Sequence, residues 1–274
     1  MDISHHIKMI VYILFMLSFI GLGLWDEKDI TLKGLEEARK CDKIYAEFYT
    51  SRMGVEIKKI EKLIGKKIEV LSREEVENGE KILKEAKSKN VCFLTCGDTM
   101  SATTHVELRL RAIEMGVKTK VIHGVSIVSA CASLLGLQIY KFGRVVSIVK
   151  PHKNYFPLSP YDAIKENMLM GLHSLLLLDT TDGLMTANEA INILLEMEKR
   201  KKENIITPST LIAVVARVSS PSAFSIADYI KNLVDEDFGK TPHSIVIPGK
   251  LHFVEAEALV KISNAPEEII KVKE

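Results

Sequence analysis

The sequence predicts an α/β protein of two α/β domains, with a ligand cleft between them. Three observations lead there. Short runs of Ile, Val, Leu and Phe alternate with segments of helical spacing from Leu17 onward, the order in which crossover helices join strands. The alternation breaks once, over 138–143 and 152–160, where Pro, Asn and aromatic residues collect. The strands end in Gly, small polar residues and a few acids, a composition that lets backbone approach a ligand outside a sheet. At 274 residues and 47% hydrophobic content, the chain has ample material for one large core or two moderate ones.

The elements follow in order. A strand over 17–20 runs into Gly21-Leu22-Gly23. Spacing of Leu32, Leu35 and Ala38 predicts a helix over 31–41, and 43–48 is the next strand. A helix over 57–64 ends at Gly65, and 68–71 is a short strand. Ser72 and Glu75 form a capping box that opens a helix interrupted at Asn78-Gly79 and resumed over 80–88. Val91–Thr95 is the fourth strand. A helix over 104–115 stops at Gly116, which supplies its C-cap. A strand over 118–123 and a helix of small residues over 126–135 close the first half. Strands separated by helices in this way pair in parallel. The second half reads as strand 145–149, a helix begun at Ser159-Pro160, strand 174–179, and a helix from the Thr186/Glu189 capping box to about Lys202. Strand 210–215, a helix over 225–234, strand 244–247 and a helix over 253–262 complete it.

Charge narrows the function. Lys and Arg number 37 against 36 Asp and Glu, a net of +1, and no basic patch points to nucleic acid. The four cysteines, Cys41, Cys92, Cys96 and Cys131, have no metal-ligand spacing and read as buried thiols in a reducing compartment. The uncharged run 9–25 resembles a signal peptide or short anchor, yet it is barely long enough to span a bilayer. Its second half reads better as a buried strand, so no membrane attachment is expected.

Several chemistries lack their signatures. Gly21-Leu22-Gly23 has no third glycine for a dinucleotide fingerprint, and no Walker loop is present. There is no Gly-x-Ser-x-Gly elbow, no His-x-x-x-His and no carboxylate cluster; no metal site is expected. His173 reads as a capping or surface residue and His105 as a partner for a helix end. Pro242-His243, directly before a strand, is the histidine kept as a site candidate. Lys150, Lys153, Tyr155 and Phe156 could line a cleft entrance, although an ordinary surface linker is the simpler reading.

Six segments, "FIGLGLWDEKDITLKGLE", "AEFYTS", "GDTMSATTH", "GLQIYKFG", "MTANEA" and "PGKLHFVEAE", occur in the order in which they occur in diphthine synthases. From Met16 to the C-terminus the chain resembles that family of the tetrapyrrole-methylase fold. The resemblance implies an N-terminal extension at 1–15, an N-terminal domain at 16–124 and a C-terminal domain at 125–274. It implies a cytoplasmic enzyme that uses S-adenosyl-L-methionine to trimethylate an amino group on translation elongation factor 2. The acceptor is 2-[3-carboxy-3-aminopropyl]-histidine, and the product, diphthine, belongs to diphthamide biosynthesis. Only 180–185 separate Leu178-Asp179 from Thr186, which fits the archaeal type rather than the eukaryotic one with its longer insertion. A homodimer is implied too. Cofactor contacts carry over to Leu24, Asp98, Ser101, Ser126, Ile127, Leu178, Ala216 and His243; no catalytic base is assigned. Ser101 stands where Val is usual. Cys96 and Thr99 replace the prolines of a common Thr-Pro-Gly-Asp-Pro, and Gly124-Val125 replaces Ala-Pro. Losing each proline frees the unfolded chain by about 0.4–1 kcal/mol. Another methylase of the same fold, acting on a tetrapyrrole or ribosomal RNA, and a non-catalytic S-adenosylmethionine binder are the alternatives.

Overall fold

The computed structural model describes residues 15–153 and 155–271. The expected extension, apart from Phe15, and the first part of the run 9–25 lie outside the described residues.

The first half is a five-stranded sheet. Its strands are β1 (Met16–Gly21), β2 (Lys43–Glu47), β3 (Glu69–Val70), β4 (Val91–Thr95) and β5 (Lys118–Ile122), in the spatial order β3-β2-β4-β1-β5. Every pairing is parallel, as the strand–helix alternation predicts. The helices between them are α1 (Leu32–Lys40), α2 (Ile57–Ile64), α3 (Arg73–Asn78), α4 (Glu80–Ala86) and α5 (His105–Glu114). Both faces of the central strands are covered, so β1 and β4 are apolar along nearly their whole length. Leu17 and Phe19 join one core with Tyr45 and Phe93, while Ile20 joins the opposite core with Ile44 and Leu94. In α1 the face turned inward is Gly34 and Ala38; Leu32, read as part of the apolar stripe, is exposed.

The second half contains α6 (Ile127–Leu135), β6 (Val146–Ile148), α7 (Ser159–Leu169), β7 (Ser174–Leu178), α8 (Ala187–Lys201), β8 (Leu211–Ala216), β9 (Phe224–Tyr229), α9 (Ile230–Leu233), β10 (His243–Ile247) and α10 (Phe253–Ser263). Its sheet runs β6-β7-β10-β8-β9. Only β6 and β7 are parallel; β10 lies antiparallel to β7 and β8, and β9 antiparallel to β8. The helix expected over 225–234 is therefore a strand in its first half, and only Ile230–Leu233 is helical. Ile226, Ile230 and Leu233 have helical spacing, but the alternation of Phe224 and Ile226 against Ala227 serves two cores. Pairing with the edge of β8 outweighs the local pattern.

The caps follow the sequence. Ser72/Glu75 and Thr186/Glu189 form complete capping boxes. His252 and Glu255 form a third at the start of α10.

His173 is fully buried rather than on the surface. Its Nδ1 accepts from the Gly249 N–H at 2.9 Å, and its Nε2 donates to Glu255 at 3.0 Å. Glu255 also accepts from the backbone of Gln138 and His252 and pairs with Lys141. A buried ionic network thus ties the "GLQIYKFG" segment to β7 and α10. The four cysteines are all buried.

Candidate functional site

A cleft of about 590 Å³ opens where the carboxyl ends of β1 and β4 meet β6, β7 and β10. Its floor on the first-half side is backbone. Leu22 N–H donates to Thr95 O at 2.8 Å, and Gly23 and Gly97 exchange two hydrogen bonds, of 3.2 and 2.6 Å. A side chain at Gly21 would place its Cβ 2.5 Å from Gly97 O, so the strand ends pack with nothing between them. Gly97 has φ +69°, and only one atom, Val125 O at 3.8 Å, lies within reach of a Cβ built on it. Glycine is thus used here both for a left-handed turn and for an open approach to the backbone.

Asp98 fixes that turn. Its Oδ1 accepts from Met100 N–H and the Ser101 hydroxyl, both at 3.1 Å. Its Oδ2 accepts from His123 Nδ1 at 2.8 Å and from Gly124 N–H at 3.2 Å. Burial raises the pKa of this carboxyl, but the donors of His123, Met100 and Ser101 outweigh it and hold it below the usual Asp value. Asp98 therefore joins the turn after β4 to the turn after β5. Ser126 caps α6 by accepting from Val128 N–H at 3.2 Å.

Seven of the eight sequence-predicted contacts come together in this lining: Leu24, Asp98, Ser101, Ser126, Ile127, Leu178 and His243. Ala216 does not reach it. It is fully buried at the end of β8, opposite His243, and Val215 and Val218 face the cleft in its place. The imidazole of His243 is already engaged, since Nδ1 accepts from Ala187 N–H and Nε2 donates to Lys240 O, both at 3.1 Å. Burial lowers its pKa, despite the carbonyl partners, and keeps the ring neutral.

The opposite end of the cleft was not legible as a site. It is lined by Tyr49, Thr50, Arg73 and Glu77. Glu47, fully buried, accepts from the Tyr49 and Thr50 N–H groups at 2.9 and 3.0 Å and also from the Thr50 hydroxyl. The Thr180 hydroxyl, from the loop after β7, donates to Tyr49 O at 2.7 Å and so bridges the two halves. The segments "AEFYTS" and "MTANEA" flank this bridge, but neither carries a residue type that announces a ligand. His105 is buried against Phe93 and donates to Thr99 O at 3.1 Å, inside the turn rather than at a free helix end. Of the four linker residues, none lines the cleft. Lys150 donates its N–H to Asp179 at 2.8 Å, and Phe156 lies under Arg200.

Residues 16–232 match the family model for tetrapyrrole (corrin/porphyrin) methylases. A diphthine synthase of Methanosarcina barkeri is 51% identical over 264 residues, covering 93% of this chain and 99% of the relative. The diphthine synthase of Methanocaldococcus jannaschii is 52% identical over 251 residues, 89% of this chain and 97% of the other. The chain belongs to the diphthine synthase family. A crystal structure of a diphthine synthase superposes with a TM-score of 0.86 at 37% identity, over 94% of this chain and all of the other. Membership makes the chain a methyltransferase of diphthamide biosynthesis, and its mixed α/β architecture of two sheets is that of the family.

Among the described residues, no group of three or more His, Cys, Asp and Glu side chains could hold a metal ion. No helix among them is long and apolar enough to cross a membrane.

Proposed function

We propose that the cleft binds S-adenosylmethionine and that the protein trimethylates the amino group of 2-[3-carboxy-3-aminopropyl]-histidine on translation elongation factor 2. The observation that carries this reading is the convergence of Leu24, Asp98, Ser101, Ser126, Ile127, Leu178 and His243 on one cleft. The residues fit the ligand. A side-chain-free turn at Gly97 leaves room for its backbone to meet a polar group, while Leu24, Ile127 and Leu178 offer apolar surface to an adenine.

When bound, S-adenosylmethionine supplies a methyl carbon activated by the sulfonium charge, and the acceptor nitrogen displaces S-adenosylhomocysteine in line. The chain's task is alignment, which supplies roughly 7–11 kcal/mol in favourable systems. Asp98 and the Gly23–Gly97 pair hold the two turns rigid. Asp98 is a poor base because its hydrogen bonds outweigh burial and lower its pKa. Asp179 is in the same position: its bonds to Thr181 and to the Lys150 N–H outweigh the effect of burial. The His243 ring has no free nitrogen. The amine proton therefore leaves to water in the open cleft.

The domain boundary is proposed between 124 and 125, because Cys131 and Leu135 of α6 pack in a core of the second sheet. A homodimer is also proposed; Val106, Leu110 and Ile113 form an exposed apolar stripe on α5 that a partner copy would cover. The setting is the cytoplasm, where the elongation factor works.

The test is single-turnover transfer from labelled S-adenosylmethionine to elongation factor 2 carrying the aminocarboxypropyl-histidine, with unmodified factor as control. Three methyl groups on the modified factor alone are expected. A fourth would give a methyl ester and the eukaryotic pattern. Cofactor binding without transfer would redirect the search to a tetrapyrrole or RNA acceptor.

A further inference from the structure

The far wall of the cleft carries two opposite charges that the fold does not use. Arg73 and Glu77 lie four residues apart in α3, on one side of the helix, and both line the cleft. The Arg73 guanidinium carbon sits 5.1 Å from the centre of the Tyr49 ring. That stacking fixes the side chain while leaving its N–H edge open. Among the described residues neither the Arg73 guanidinium nor the Glu77 carboxylate has a hydrogen-bond or ion-pair partner. The Tyr49 hydroxyl, shielded from solvent, has none either. The neighbouring capping-box residue Glu75, by contrast, is spent on Ser72 and α3 itself. The phenol of Tyr49 has its pKa raised by burial first, then by Glu47, with Arg73 opposing and Glu77 adding to the rise, so both charges act at this ring.

An acceptor bearing a 3-carboxy-3-aminopropyl group presents a carboxylate and an amine on one carbon. We infer that Arg73 and Glu77 form the subsite for that amino-acid head group, Arg73 binding the carboxylate and Glu77 holding the amine end. A guanidinium pairs with a carboxylate through two parallel N–H donors, which fixes orientation as well as position. The Glu77 carboxylate accepts a hydrogen bond from the ammonium before its proton is lost to water. The inference rests on the methylation reading above. It adds the residues that select the acceptor.

The experiment compares the full-length protein with Arg73→Gln, Arg73→Lys and Glu77→Gln, using aminocarboxypropyl-modified elongation factor 2. Affinity for S-adenosylhomocysteine and the thermal midpoint are measured alongside. Both Gln variants should keep cofactor affinity, and the midpoint should move little, since both side chains are exposed and the one fold contact at stake is that of Arg73 with the Tyr49 ring. Their acceptor KM should rise about tenfold to a hundredfold, the value of a lost charge-assisted hydrogen bond. Arg73→Lys should fall between wild type and Arg73→Gln, because charge remains but the fork is lost. The double Gln variant should lose less than the product of the single losses, because both residues read one group. An Arg73→Gln acceptor KM within twofold of wild type overturns the inference. So does a loss traced wholly to cofactor affinity or to the midpoint. If the wild type fails to methylate the modified factor at all, the methylation reading fails and the subsite falls with it.

Discussion

Asp98 illustrates how much a single position can disclose. An acid just after a strand-ending glycine is visible in the sequence as a ligand candidate. Two of its four donors are not, because His123 and Gly124 lie 25 and 26 residues further on. Asp98→Ala should leave the Met100 and Gly124 N–H groups without their acceptor and cost about 1–3 kcal/mol, read as a lower urea midpoint at constant slope. The same bonds bear on the replaced prolines. Where the family resemblance implies Pro on either side of Gly-Asp, this chain has Cys96, buried at the strand end, and Thr99, whose carbonyl accepts from Thr103 and His105. Hydrogen bonds in the folded state thus do the stiffening that rings would do. Ala216, carried over by resemblance, is buried next to Val215, which does line the cleft. Arg73 and Glu77 stayed hidden because a charged residue in a short, capped helix has the composition of any solvated surface.

Elements were legible where one pattern had no competitor. The parallel sheet could be read because β1, β4 and their neighbours are buried runs bounded by glycine and by helical spacing. The strand β9 could not, because Ile226, Ile230 and Leu233 satisfy a helical period while the edge of β8 asks for a strand. The ends of elements matter most for the site. Gly21 closes β1 with its Cα hydrogens against Gly97 O and Gly124 N. Gly21→Ala would drive a Cβ to 2.5 Å from Gly97 O, an atom of the backbone that cannot swing aside. The expected result is a destabilisation of about 1–3 kcal/mol from overpacking. Calorimetry should also show weaker binding of S-adenosylhomocysteine, because the Gly97 turn must move.

Across the whole molecule, two sheets of different construction share one cleft. The second is held to the linker by the Lys141–Glu255–His173 network. Burial alone would raise the pKa of Glu255, but Lys141, the N–H groups of Gln138 and His252, and His173 together depress it to about 2. A folded-state value below the unfolded 4.5 means that the carboxylate stabilises the fold above pH 4.5 and that this contribution disappears as pH falls toward 2. The loss is on the order of 3 kcal/mol. Burial also lowers the pKa of His173, with the Glu255 carboxylate opposing, so its own contribution starts to fade below about 6.5. Urea unfolding from pH 7 to pH 3 should show stability falling in two stages, and Glu255→Gln should flatten the lower one. The order of strands in the first sheet has a consequence during synthesis. β1 lies between β4 and β5, yet it leaves the ribosome about 70 residues before β4. At about 5–20 residues per second it waits several seconds with its apolar side chains uncovered. The nascent chain is therefore most exposed to chaperones, and to mispairing with other nascent chains, before Val91 emerges.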